Sequence, residues 1–284
     1  MKNLKGSTTM FDLVYWLPVI VGGTVAGASS GLLGVFIVGM RISFLGVCMA
    51  HAALAGAVLG GLIGFEGGQL LIPALVASVI TGLALGIVNP EKTHLDDNII
   101  LGFLFSVTMG LAFLGLGLYG VFGKSDNDVR SLLWGSLNFC RWRDVYFMLG
   151  GATMLILYIG LFSKEMQAIM FSRSLAEASG IHSNFVWTGF LVLAAVVLTV
   201  NFQSVGGLMI YSLISNPAAA AFAITTGFKR SLFLSIFFGA MSGLCGFLIS
   251  AYANLPSGAV IVLFSSMLVI ITPLIKSIKR RIVV

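Results

Sequence analysis

Nine apolar tracts follow one another along this chain, at about residues 13–38, 43–63, 68–89, 98–120, 145–163, 185–202, 206–227, 232–252 and 258–275, with only short polar interruptions between them. Nothing else in the sequence constrains the fold as strongly. A helix crosses the hydrocarbon of a bilayer with about 20 apolar residues, and a spanning segment must satisfy its own backbone hydrogen bonds. A membrane barrel would need short strands of alternating polarity, and the tracts show no such alternation. Only 9% of the 284 residues are charged and 58% are hydrophobic, whereas an ordinary soluble domain is roughly a quarter charged. The expectation is an all-α polytopic membrane protein of about nine transmembrane helices (eight to ten). Residues 1–284 form a single membrane domain in this reading, because the loops are too short to bury a core of their own.

Residues 121–144 are too polar to span, yet they carry an apolar patch around Leu132 to Trp134. Tryptophan favours the membrane boundary, so this stretch reads as an interfacial or re-entrant helix. The first tract contains VAGASSG, a signal-peptidase-like stretch, but apolar character continues to about Val38 and the tract reads as retained helix. Lysines and arginines set the sidedness. One set of loops holds Arg41, Lys92, Lys164, Arg173, Lys229, Arg230, Lys276, Lys279, Arg280 and Arg281; the other holds Lys2, Lys5, Lys124, Arg130, Arg141 and Arg143. The acidic residues divide evenly, which leaves +5 on the first side and +1 on the second. The first side is assigned to the cytoplasm, with the C-terminus inside and the N-terminus outside. The net charge of +6 then reflects topology and attraction to anionic headgroups, not a nucleic-acid partner. Cys48, Cys140 and Cys245 lie at different depths and offer neither a disulfide framework nor a paired metal motif.

Polar side chains within the spans are few: His51, Asn201, Gln203, Ser215 and Asn216. Such residues mark functional sites or act as hydrogen-bonded glue between helices. His51 stands in SFLGVCMAHAALAG, residues 43–56. At 100° per residue, Gly46, Ala50, Ala53, Ala57 and Gly60 form a narrow stripe that lets a neighbouring helix approach closely. His51 lies away from that stripe, on a face shared with Val47, Cys48, Ala55 and Val58. Imidazole and thiolate are both ligands for borderline transition metals, and positions three apart share a face. A closed structural site would need four ligands, whereas a conduit needs fewer because its ion must leave. The seventh tract contains LMIYSLISNPAAAA, residues 208–221. Pro217 frees the carbonyl of Leu213 and invites a kink, and Ser215 and Asn216 place polar oxygens beside it. Either a cavity runs there or the helix is merely bent.

Residues 164–183, KEMQAIMFSRSLAEASGIHS, are too long and too patterned for a tight turn. Met166, Ile169 and Met170 form an apolar helical edge. Ser172 or Ser174 then caps a short second helix through Ala178, with Gly180 as its stop. Two short helices at the cytoplasmic face make either a docking surface or a lipid-held amphipathic segment.

Taken together, these segments resemble the membrane-spanning permeases of ATP-binding-cassette importers for zinc, manganese and iron, the metal-type ABC-3 permeases. GLLGVFIVGMRISFLGVCMAHAALAG resembles the family block at the end of the first span and through the second. SRSLAEASGI resembles its coupling segment, SLISNPAAAA its proline-alanine block, and LPSGAVIVL the start of its last span. Four blocks stand in order from about Gly31 to the C-terminus. The resemblance implies a type II-importer-like permease in a bacterial or archaeal cytoplasmic (inner) membrane, working by alternating access as a homodimer around a central pathway. It implies two ATPase subunits inside and an extracytoplasmic solute-binding protein outside. It places the ATPase contact on Arg173, Ser174, Leu175, Glu177 and Gly180. The chain has no GxxxxGK[ST] loop, so ATP hydrolysis would come from the partner and the chain itself would be no enzyme with no permanently bound cofactor. The transported divalent metal would pass His51 and Cys48, with Val47, Ser215, Asn216 and Pro217 along the pathway.

One departure from the family is informative. The family's second span carries an aspartate four residues before the histidine, and here that position is Val47. The attraction for a divalent ion in a low-dielectric passage is correspondingly weaker. Three readings follow: a softer site of Cys48 and His51, a metal that passes without being held, or a substrate other than a bare cation. Asn216 stands where the family commonly has an aliphatic residue, which suits a chelated metal or small organic solute. A secondary transporter driven by an ion gradient is the rival of another class. An intramembrane enzyme has no acid, base or nucleophile set beyond His51.

Overall fold

A computed structural model of the chain describes residues 13–88, 96–127, 129, 137 and 140–282. Among the described residues there are eleven α-helices, one 3-10 turn and no strand. The long helices are α1 (Leu13–Gly39), α2 (Leu45–Ile63), α3 (Leu71–Ile87), α4 (Asp97–Val121), α5 (Trp142–Leu161), α8 (Ser183–Val205), α9 (Gly207–Ile224), α10 (Phe228–Ala253) and α11 (Ser257–Ile282). Two short ones, α6 (Ser163–Phe171) and α7 (Arg173–Ala178), interrupt the series between α5 and α8. Eight are long and apolar enough to cross a bilayer, and a ninth apolar helix, within α9, is shorter. The helix expected within residues 121–144 lies largely outside the described residues.

Polar residues placed at the ends account for several boundaries. Asp96 caps α4 by accepting the N–H of Asn98 at 2.8 Å, and Asp144 accepts the N–H of Arg141 at 3.0 Å at the start of α5. Gly64 and Asn254 end α2 and α10 in the left-handed conformation. Between α8 and α9 a single residue, Gly206, makes the whole junction, at φ 94° and ψ 148°. That region of backbone space is essentially closed to residues with a Cβ.

The helices sort into an inner and an outer set. α1, α2 and α8 are mostly buried, and α8 touches α1, α2, α3, α5, α6, α7 and α9. α4, α5 and α11 turn most of their surface outward, with Phe103, Phe113, Leu157 and Leu263 among the exposed side chains. An apolar surface of this extent belongs in lipid or against another membrane chain. The most extensive helix pair is α1 with α10. There a Cβ on Gly27 would strike the carbonyl of Gly239, one on Gly239 the carbonyl of Gly27, and one on Gly243 the carbonyl of Gly23. The two backbones touch, and Ser235 Oγ donates to the carbonyl of Gly31 at 2.6 Å.

The ends group as an alternating topology requires. Asn98 Nδ2 donates to the carbonyl of Arg41 at 3.2 Å at one end, and Lys124 Nζ to the carbonyl of Leu62 at 2.8 Å at the other.

Candidate substrate pathway and coupling segment

His51 sits about 9 Å along the axis from the start of α2, at the usual helical rise. Its Nδ1 lies 2.9 Å from the carbonyl of Val47. A carbonyl only accepts, so the proton is on Nδ1 and Nε2 keeps its lone pair for a ligand. The ring is half-buried and stands edge-on to Phe105 of α4, with centroids 4.9 Å apart at 76°. Phe105 in turn meets Phe44 at 5.1 Å and 72°. The opposite stripe packs closely: a Cβ on Gly46 would meet Ile214 of α9, and one on Gly60 would meet Pro73 of α3. Ala50, Ala53 and Ala57 are fully buried.

Cys48 stands one turn before His51 and is fully buried, whereas Val47 and His51 keep some exposure. Of the residues singled out on α2, the structure therefore joins His51 to the main chain of Val47 and buries Cys48 completely. Among the described residues, no group of three or more His, Cys, Asp or Glu side chains is placed to hold a metal ion.

α9 runs without interruption through Pro217, which is buried. Beside it, Asn216 Nδ2 donates to Ser265 Oγ and to Ser266 Oγ of α11, each at 3.0 Å. Both serines pass their own protons to the carbonyl of Val262, so the amide must be the donor and Asn216 Oδ1 is left as the acceptor. Ser215 Oγ is buried and has no hydrogen-bond partner among the described residues. α9 and α2 are in contact through Ile214 and Gly46, which brings Asn216 and His51 onto neighbouring helices. Phe105 and the Ser265–Ser266 pair were not among the expected site residues. Two adjacent serines inside an apolar tract were the signal available for the pair; a lone phenylalanine gave none.

Ser172 caps α7, accepting the N–H of Leu175 at 3.4 Å, and Gly180 follows at φ 82°. Ser174, Leu175, Glu177 and Gly180 are exposed, while Ala176 is buried against the body of the protein. Arg173 is turned inward: its Nη2 donates to Asn184 Oδ1 of α8 at 2.6 Å. Nearby, Ser183 Oγ donates to Glu177 Oε1 at 2.6 Å.

The sequence pattern of the ABC 3 transport family matches residues 12–276. The chain belongs to that family. Among its relatives, the manganese transport system membrane protein MntC of Listeria monocytogenes is 28% identical over 250 residues, covering 88% of this chain and 86% of its own. The zinc transport system membrane protein TroC of Treponema pallidum is 28% identical over 251 residues, covering 86% and 83%. The structure of PsaBC from Streptococcus pneumoniae in complex with Fab contains a chain of the same fold, with a TM-score of 0.76 and 27% identity over 91% of this chain and 90% of that one. As an ABC 3 permease, the chain is a membrane subunit and not an enzyme; ATP hydrolysis belongs to a separate ATPase subunit. Family membership also implies a substrate-binding protein as partner.

Proposed function

We propose that this permease carries manganese or zinc into the cell by alternating access, as a homodimer in the cytoplasmic membrane with its C-terminus inside. The observation that carries the reading is the family match along nearly the whole chain, joined to relatives named for manganese and for zinc. His51 holds the passing ion through Nε2, its ring fixed by the Val47 carbonyl and by Phe105. A single neutral imidazole binds weakly, which suits an ion that must be released. Cys48 contributes its sulfur only in a conformation that uncovers it. The exposed side of α7, with Ser174, Leu175 and Glu177, meets the ATPase, and residues 1–284 act as one membrane domain around this pathway.

A second reading is favoured by Val47 and Asn216. With valine at 47 in place of a carboxylate and an amide oxygen on the neighbouring helix, a metal enclosed by a small chelator also suits the passage. Liposomes holding the permease with its ATPase and binding protein, loaded with ATP and offered manganese, zinc and iron one at a time, each free and as a chelate, test both. Saturable ATP-dependent uptake of manganese or zinc alone is the expected result. Uptake of the ion only as a chelate supports the second reading, and uptake driven by an ion gradient without ATP overturns both.

A further inference from the structure

We propose that Arg173 works inside the permease, as the clasp that ties coupling helix α7 to the first turn of α8, and not on the surface offered to the ATPase. The inference rests on the importer reading above. On this six-residue helix Ser174 faces outward, whereas the guanidinium of Arg173 turns toward α8. The hydrogen bond from Nη2 to Asn184 is short, at 2.6 Å, and the guanidinium carbon lies 6.0 Å from the centroid of the Trp187 ring. Trp187 is 3% exposed and Arg173 keeps partial exposure, so the guanidinium lies over a buried ring at the outer range of cation–π attraction. Asp97, in the first turn of α4, lies within electrostatic reach of the same guanidinium. A second tie, from fully buried Ser183 to Glu177, fixes the other end of α7. Together the two ties leave α7 no independent swing: a push on its outer face moves the start of α8.

The rings beyond Trp187 give that push a route. Trp187 stacks on Phe190 with centroids 6.0 Å apart at 25°; Phe190 meets Phe36 of α1 at 5.5 Å, and Phe36 meets Phe228 of α10 at 5.7 Å. A planar cation therefore sits at the head of a packed aromatic run from the coupling helix to the α1–α10 pair. Arg173 Nε and Trp187 Nε1 are both buried without hydrogen-bond partners among the described residues. Two donors left unsatisfied in this arrangement, where burial makes each costly, fit a clasp that holds through stacking and is built to shift.

The test uses the whole complex in liposomes, measuring ATP hydrolysed and manganese taken up, with assembly followed by gel filtration. Arg173→Ala should still assemble with the ATPase and hydrolyse ATP, while the ATP consumed per ion rises by about tenfold, in the range usual for coupling between sites. Arg173→Lys should not restore coupling, because an ammonium lacks the flat stacking surface and fork of a guanidinium. Trp187→Leu should match Arg173→Ala, the double variant should be no worse than either single one, and Trp187→Phe should stay near the wild type. Should Arg173→Ala give no folded protein, Trp187→Leu and Asn184→Ala carry the same measurement. The clasp is wrong if Arg173→Ala loses the ATPase in gel filtration, with hydrolysis and uptake falling together, or if the ATP-to-ion ratio does not move. A wild-type complex without ATP-driven uptake overturns the importer reading first and the clasp with it.

Discussion

The α1–α10 contact and the α2–α4 contact join helices of similar apolar character, yet they are built on different plans. Within a bilayer there is no water between helices to expel, so packing and hydrogen bonds must do the joining. α1 and α10 solve this with small residues four apart, Gly23, Gly27 and Gly31 against Ser235, Gly239 and Gly243, until the two backbones touch. α2 and α4 do so over only part of their length. Gly115 lies beneath Val58 and Tyr119 OH donates to the carbonyl of Val58 at 3.1 Å, but toward the other end the helices are separated by the rings of His51, Phe105 and Phe44. The first contact excludes everything, solvent and ion alike. The second is filled by aromatic rings, and the imidazole stands among them.

The comparison can be broken from either side, and the largest effect lies in the glycines. Gly27→Leu drives a side chain into the Gly239 carbonyl, a backbone that cannot yield, and should abolish folded, monodisperse protein in detergent gel filtration. If that variant folds and unfolds at the wild-type temperature, the backbones are not in contact. His51→Ala should leave thermal unfolding close to the wild type while ATP-dependent metal uptake falls by at least about tenfold. A loss of stability like that of the glycine variant would make the histidine packing and not chemistry. The smallest effect belongs to Asn201, which is 1% exposed and donates to Ser29 Oγ at 3.0 Å and Ser30 Oγ at 3.3 Å. Asn201→Ala should lower unfolding stability by about 1 kcal/mol, the usual scale of a hydrogen bond between membrane helices, and leave uptake unchanged.

The spans were legible because hydrophobic length is a bulk property that the bilayer imposes residue by residue. The glycine seam was not read from sequence, because helices that are apolar all round give no periodic signal of which face is inside. Its only trace was small residues at fourfold spacing in two distant tracts, and pairing them required knowing that α1 and α10 are neighbours. The stripe on α2 was legible for the opposite reason, since His51 broke the uniformity and gave the wheel a reference. What the wheel could not supply was the partner: it placed His51 and Cys48 on one face, while the fold covers Cys48 completely and leaves the imidazole against Phe105. The inward turn of Arg173 was equally hidden, because the direction of one side chain on a short helix is decided by Asn184 and Trp187 of α8.

The hydrogen bond from His51 to the carbonyl of Val47 has a consequence for how this position tolerates change. The oriented tautomer depends on a peptide oxygen that every residue carries, so the side chain at 47 can be exchanged without removing the acceptor of the imidazole. Its side chain is thereby free to set the charge of the passage on its own, and a carboxylate introduced by Val47→Asp would act beside a histidine already aimed.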